Sequence, residues 1–230
     1  MKIGLIGAMT VEVETLKERT ENKRVSVISG MEFVEGTLCG QSVVLAVAGV
    51  GKVNAAICAQ TMILKFQPDV IINTGVAGGI GSGVKILDVV VATEVAQHDM
   101  DCSPLGDPVG WLYGVNKVEM ACDEQHCNRI CAAAESVGVK PFRGMIVSGD
   151  QFIGSKEQID KIKEHFPAMA AEMEGAAIGQ VCCLNQTPFC VIRAISDGGD
   201  DEANMNYPQF CKLAVAKSVE ILEAYLTALN

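Results

Sequence analysis

Positive charge is scarce in this sequence. Eighteen Lys and Arg stand against 28 Asp and Glu, a formal net charge of −10, and the basic residues form no cluster. Nucleic-acid binding relies on such clusters facing phosphates, so a polynucleotide partner is excluded, and a small neutral or cationic ligand fits the charge balance better than a highly phosphorylated one. Long hydrophobic runs are missing too. Although 49% of the residues are hydrophobic, no uninterrupted run approaches the roughly 20 residues of a membrane span. The opening MKIGLIGAM lacks the long apolar region and cleavage signal of a secretory peptide, so a cytoplasmic protein without membrane contact is expected. No repeat, low-complexity tract or linker interrupts the 230 residues, and one domain over 1–230 with a sizeable core is expected.

Several standard site motifs are absent. AGVGK resembles the end of a phosphate-binding loop, but Ala46 occupies the required first glycine position and Val53 follows Lys52 where Ser or Thr is needed. GVAGGIGSG misses the dinucleotide-binding register and leads into a strand-like segment rather than a helix. No G-x-S-x-G elbow occurs, and Ser148 in SGDQ has no adjacent base. The ten cysteines lie scattered through apolar segments, as reduced core thiols do. Cys122, His126, Cys127 and Cys131 share helix faces in pairs without the C-x-x-C spacing of structural zinc, so helix packing and no metal site are expected.

What the chain does have is alternation. KIGLIG, VVLAVA, DVIINTG, DVVVATEVAQ, RGMIVSG and FCVIRAIS read as strands, and VEVETLKER and KVNAAICAQTMILKF as helices. Further helices are expected near 123–137, 155–165, 174–184 and 208–228. The fold class is therefore α/β, with a mostly parallel or mixed sheet flanked by helices. Ligands of such sheets bind beyond the carboxyl ends of strands. Three acids stand there: Glu12 in GAMTVE, Glu174 in EMEG and Asp197 in ISDGGD. Convergence of the three would push their pKa values apart and yield an acid and a base. Each also has an ordinary reading, at a helix start or in a turn. AAEMEGAAIGQ sharpens the question, because Glu172 and Glu174 sit one residue apart among small apolar residues, where an unpaired carboxylate is costly to bury.

The strings GLIGAMTVEVETL, AGVGKVNAA, DVIINTGVAGG, IVSGDQFI, AAEMEGAAIG and VIRAISDGGD, in this order along almost the whole chain, closely resemble the bacterial 5′-methylthioadenosine/S-adenosylhomocysteine nucleosidases. The wider superfamily includes purine nucleoside phosphorylases, nucleosidases for adenosine monophosphate and futalosine hydrolases. The resemblance implies a single domain with a mixed, partly closed β-sheet core surrounded by helices. It also implies hydrolysis of an N-glycosidic bond without metal or cofactor, a place in methionine salvage and a homodimer. It assigns Glu12 as the base that activates water and Asp197 as the group donating toward N7 of the departing adenine. Glu174 would hold the ribose hydroxyls and Met173 would pack on the sugar, with Glu172 either supporting contact or structural acid. Phe152 would stack on the purine while the backbone of Ile153 reads its edge. Ala77 and Gly78 would line the base and sugar, Met9 and Val50 the sugar side, and Tyr207 the 5′ substituent. Arg193 would lie near Glu174 and the water. Cys102 and Leu105, in a neighbouring subunit, would help close the 5′ pocket.

Two departures accompany this resemblance. Val76 replaces a serine that some relatives carry near the sugar, and residues 103–115, which hold the only tryptophan, Trp111, match loosely. A phosphate-dependent purine nucleoside phosphorylase is the alternative enzyme, but it needs a basic anion pocket where this chain has GAMTVE. A nucleoside-binding protein without catalysis is the alternative from another class.

Overall fold

The computed structural model describes all 230 residues. Strands and helices follow in the order β1 (Lys2–Gly7), α1 (Thr10–Arg19), β2 (Glu21–Ile28), β3 (Met31–Leu38), β4 (Gln41–Val47), α2 (Lys52–Phe66), β5 (Val70–Gly79), β6 (Val89–Gln97), β7 (Met120–Ala121), α3 (Glu124–Ser136), β8 (Phe142–Ser148), α4 (Lys156–Lys163), β9 (Ala168–Glu172), α5 (Gly175–Asn185), β10 (Phe189–Asp197) and α6 (Ala203–Thr227). No helix is long and apolar enough to cross a membrane.

One mixed sheet runs β10-β6-β8-β9-β5-β1-β4-β3-β2, and a further pairing of β10 with β5 closes its first five strands into a ring. The expected partly closed core is thus present. β5 is the branch point. Its residues from Val70 to Asn73 pair with β1, whereas its end, Gly78 and Gly79, pairs with β9. Between these two stretches the edge of β5 carries no strand partner. Backbone groups in such a gap must find other partners if they are buried.

The core follows from strands buried on both faces. A row of residues in register crosses the sheet from Leu45 through Leu5 and Ile72 to Cys190, all inaccessible to solvent. Every residue of β10 is buried, including the polar Arg193, Ser196 and Asp197. Outside the ring, Phe33 stacks on Phe66 of α2 at 5.1 Å between ring centroids.

Five elements, β2, β3, the two-residue β7, β9 and α6, differ from the sequence expectation. β2 and β3 form a hairpin whose turn, Ser29–Gly30, has both φ angles positive, and Cys39–Gly40 makes a second such turn into β4. Left-handed pairs of this kind match the twist of paired strands. The first strand of the hairpin is exposed on both faces and so shows no apolar alternation. The alanine-rich β9 lacks the branched residues that mark strands. α6 begins at Ala203, a turn before Pro208; the proline removes one backbone donor and the helix continues through it. The remaining predicted helices agree to within two residues. The cysteine–histidine group is taken up by packing. His126 Nδ1 lies 2.6 Å from the Tyr225 hydroxyl, and Cys127 Sγ lies 3.3 Å from Cys190 Sγ and 3.4 Å from the Ala92 carbonyl.

Leu5 sits in the middle of the buried row, so Leu5→Ala is expected to lower unfolding free energy by about 2–5 kcal/mol in urea titrations. Val27→Ala, on the exposed hairpin strand, should change it by less than about 0.5 kcal/mol.

Candidate active site

Glu12 occupies the unpartnered edge of β5. It is the third residue of α1, and its Oε2 reaches back to accept the Ala8 and Met9 N–H groups at 2.7 and 2.9 Å, as a glutamate at this helix position often does. Its Oε1 accepts the Val76 N–H at 3.1 Å, satisfying the donor that the fork in the sheet leaves free. Room for this carboxylate depends on Gly75, where a Cβ would stand 2.5 Å from Oε1. Burial pushes the Glu12 carboxyl up, and this outweighs the lowering by Arg193 and the three backbone donors.

Asp197 ends β10 on the other edge of β5. The pairing register shifts between Ile195 and Asp197, a bulge that re-aims the last side chain. Asp197 Oδ1 accepts the Gly199 N–H at 2.9 Å and Oδ2 the Ser196 hydroxyl at 2.8 Å. Burial nevertheless raises its carboxyl above the ordinary range.

The two glutamates of AAEMEG separate into different roles. Glu172 ends β9 and accepts the Gly175 N–H on both oxygens, at 3.0 and 2.8 Å, and the Glu174 N–H at 3.1 Å, which holds the start of α5. The Ser148 hydroxyl also donates to it, and Arg193 Nη2 forms an ion pair with it. Glu174 projects onward. Its Oε1 accepts the Gly51 N–H at 2.9 Å, and its Oε2 lies 3.9 Å from Arg193 Nη2. Burial and the neighbouring Glu172 raise its carboxyl, against the opposing pull of Arg193 and Gly51.

These groups meet in a cavity of about 270 Å³. Met9 and Glu12 enter it from the β1–α1 turn, Val50 from the loop before α2, and Ala77 and Gly78 from β5. Phe152 and Ile153 come from the loop after β8, Met173 and Glu174 from the β9–α5 turn, Asp197 from β10 and Tyr207 from the first turns of α6. Phe152 and Tyr207 face each other edge to face at 5.8 Å, and the Tyr207 hydroxyl donates to Met9 Sδ at 3.2 Å. Val76 lines the cavity with an apolar side chain where a serine hydroxyl was the alternative.

Arg193 lies near Glu174, its Nη2 3.9 Å from Glu174 Oε2, and forms an ion pair with Glu172. It is 1% exposed and does not line the cavity. Nη1 donates to the Ile192 and Asn73 carbonyls at 3.1 and 3.3 Å and Nη2 to Asn73 Oδ1 at 2.5 Å, so both terminal nitrogens are engaged below the floor while Nε has no partner. A nine-residue strand that is buried throughout was the available signal. Cys102 and Leu105, expected to act on a neighbouring subunit's pocket, lie outside this chain's own cavity; Leu105, in the 3₁₀ turn Ser103–Leu105, is 81% exposed. Sequence reasoning missed Ser196, the hydroxyl that orients Asp197, although its place beside the acid in AISD was a signal.

An apolar cavity with converging buried acids, at the strand ends of a partly closed sheet, defines an enzyme of the phosphorylase superfamily. The superfamily profile matches residues 2–227. The chain is 42% identical over 235 residues to the 5′-methylthioadenosine/S-adenosylhomocysteine nucleosidase of Actinobacillus succinogenes, with 100% of both chains covered. It is 39% identical over 224 residues to the enzyme of the same name from Lysinibacillus sphaericus, covering 96% of this chain and 97% of that one. Its structure matches the crystal structure of the Neisseria meningitidis 5′-methylthioadenosine/S-adenosylhomocysteine nucleosidase in complex with methylthio-immucillin-A, with a TM-score of 0.95, 39% identity and 99% coverage of each chain. The protein belongs to the 5′-methylthioadenosine/S-adenosylhomocysteine nucleosidase family.

The raised Glu174 carboxyl carries a stability consequence. In the unfolded chain it titrates near 4.5, and in the fold its pKa is higher, so the native state binds the proton more tightly. The penalty for ionising it is absent below the unfolded pKa, grows as pH rises through the interval, and is complete above the folded pKa. Glu174→Gln should therefore raise Tm by a few degrees at pH 8, with the gain vanishing near pH 4; melting curves at both pH values check this.

Proposed function

We propose that the protein hydrolyses the N-glycosidic bond of 5′-methylthioadenosine and S-adenosylhomocysteine, releasing adenine and the 5′-substituted ribose. The observation that carries this reading is the lining of the cavity, which holds Glu12, Glu172, Glu174 and Asp197 and no Lys, Arg or His. Breaking the bond builds positive charge on the ribosyl ring and negative charge on adenine. Carboxylates beside the sugar stabilise the former, and an acid beside the base neutralises the latter. Phosphate as the attacking group would meet these carboxylates without a cation to hold it, which disfavours the phosphorylase alternative.

In this reading Glu12, fixed by three backbone donors, takes a proton from the water that attacks C1′. Asp197, whose carboxyl burial raises above the ordinary range, gives a proton toward N7. Glu174 accepts hydrogen bonds from the ribose hydroxyls, and Met173, Met9 and Val50 pack around the sugar. Phe152 stacks on the purine, the Ile153 backbone reads its edge, Ala77 and Gly78 allow close approach, and Tyr207 faces the 5′ substituent. Arg193 contributes by holding Glu172 and facing Glu174 from below, without touching substrate. The sulfur-bearing sugar released suits methionine salvage, and the buried thiols suit a reducing cytoplasm.

The test is product analysis of 5′-methylthioadenosine turnover with and without phosphate. Adenine should appear at equal rates in both, and formation of a ribose 1-phosphate derivative would establish the phosphorylase instead. Glu12→Gln should lower kcat by about a hundred- to ten-thousand-fold with binding retained, and Asp197→Asn should slow purine departure comparably. A binding protein would release no adenine at all.

Assembly as a homodimer is part of the proposal. On α2, Val53 and Leu64 are 69% and 65% exposed and share a face with Ile57. Gln60 on the same helix hydrogen-bonds Asn185 of α5 at 2.9 Å, which brings exposed Leu184 beside this stripe. Apolar surface of this kind, continuous with Val50 at the cavity, suits a second copy, whose Cys102 and Leu105 would approach the 5′ side. Light scattering should give twice the 24.4 kDa chain mass, and Ile57→Glu should shift it toward monomer with lower kcat/KM. A fully active monomer would defeat this assembly.

A further inference from the structure

Behind the cavity wall, Lys52, Asp99 and Asp150 come from the start of α2, the segment after β6 and the loop after β8. None of them lines the cavity. Their contacts form a closed ring. Lys52 Nζ donates to Asp99 Oδ1 at 2.6 Å, the Asp150 N–H donates to Asp99 Oδ2 at 2.8 Å, and the Lys52 N–H donates to Asp150 Oδ1 at 2.8 Å. Lys52 Nζ is anchored further by Gln97 Oε1 at 3.1 Å, and the Gln97 amide donates to Gln180 of α5 at 2.7 Å.

Each side of the ring abuts a group assigned to substrate. Gly51, next to Lys52, donates its N–H to Glu174. It does so at φ 97°, and a Cβ there would lie 3.0 Å from Asp150 Oδ1, so the ring packs closely against the residue that holds the Glu174 carboxylate. On the other side, Phe152 and Ile153 follow Asp150 along the purine loop. Partly exposed ion pairs add little to stability, so stability alone is a weak reason for this arrangement. Fixing two binding groups relative to each other is a stronger one, because a misplacement of about 1 Å at a reacting centre costs on the order of a hundredfold in rate.

We propose that the Lys52–Asp99–Asp150 ring is a positioning device that sets the spacing between Glu174 and the purine loop at Phe152–Ile153, on the two sides of the bond to be cleaved. It rests on the nucleosidase reading above. Adenine alone occupies only the purine side and gains nothing from the spacing, whereas an intact nucleoside must satisfy both sides at once.

Asp150→Ala removes the direct link from the Lys52 N–H to the purine loop and opens the ring, leaving the Lys52–Asp99 pair and the backbone N–H at position 150 in place; Asp150→Asn keeps the acceptor oxygen. Asp150 is exposed, so both variants should fold, and Lys52→Met severs the ring at another point. Calorimetry would measure Kd for adenine and for the uncleavable 7-deaza analogue of 5′-methylthioadenosine, alongside kcat. For Asp150→Ala and Lys52→Met, adenine affinity should stay within about twofold, nucleoside affinity should weaken about tenfold, and kcat should fall about ten- to a hundredfold, with Asp150→Asn restoring most of both. Parallel weakening of adenine and nucleoside would mean that the loop has collapsed and would overturn the proposal, as would unchanged values in both Ala and Met variants. The binding arms need no turnover, so failure of the unaltered protein to release adenine would count against the nucleosidase reading separately.

Discussion

The ion pair between Arg193 and Glu172 is what makes this cluster of buried acids tenable. Glu12, Glu172, Glu174 and Asp197 line one small cavity, where burial raises the Glu12, Glu174 and Asp197 carboxyls and the charges of Glu172 and Glu12 add to the rise at Glu174. Arg193 supplies positive charge from beneath, paired with Glu172, within 3.9 Å of Glu174 and lowering the Glu12 carboxyl. A buried ion pair is a poor source of stability in its own right. Its value here is positional: Glu172, pinned by Arg193, receives the first N–H groups of α5, and the turn it fixes aims Glu174 into the cavity.

The sheet supplies the second constraint. β5 changes partners along one edge, from β1 to β9, and the cavity opens where neither pairs with it. A backbone donor left over from that change, the Val76 N–H, is what Glu12 accepts. Meanwhile β10 stays paired with β5 on the opposite edge and delivers Asp197 through a register shift. Fold and site are thus one arrangement, because the irregularities that interrupt the ladder are the places where the acids stand.

Much of this was legible in the sequence for identifiable reasons. Doubly buried strands announce themselves as apolar runs, and acids directly after such runs fall at strand ends, so Glu12, Glu174 and Asp197 were readable as candidates. The β2–β3 hairpin was not, because a strand exposed on both faces has no alternation to detect. Arg193 was readable as a neighbour of Glu174, but sequence cannot say which side of a buried strand a charge occupies, and its bonds to Asn73 and Glu172 are what turn it away from the cavity. The role of Glu172 needed the fold as well, since Arg193 and Ser148, which bind it, lie far from it along the chain.

The roles proposed for Glu12 and Asp197, on opposite edges of β5, set the proton inventory of the proposed catalytic cycle. A turnover that begins with Glu12 ionised and Asp197 protonated ends with the two states exchanged, so the enzyme emerges from each reaction with its charges reversed. Resetting requires one proton to leave and another to arrive before the next substrate enters. Burial raises both carboxyls above their ordinary range, which favours a proton on each of them. The same desolvation that prepares the acid therefore helps re-arm it, and exchange with solvent through the cavity mouth becomes a step of the cycle in its own right.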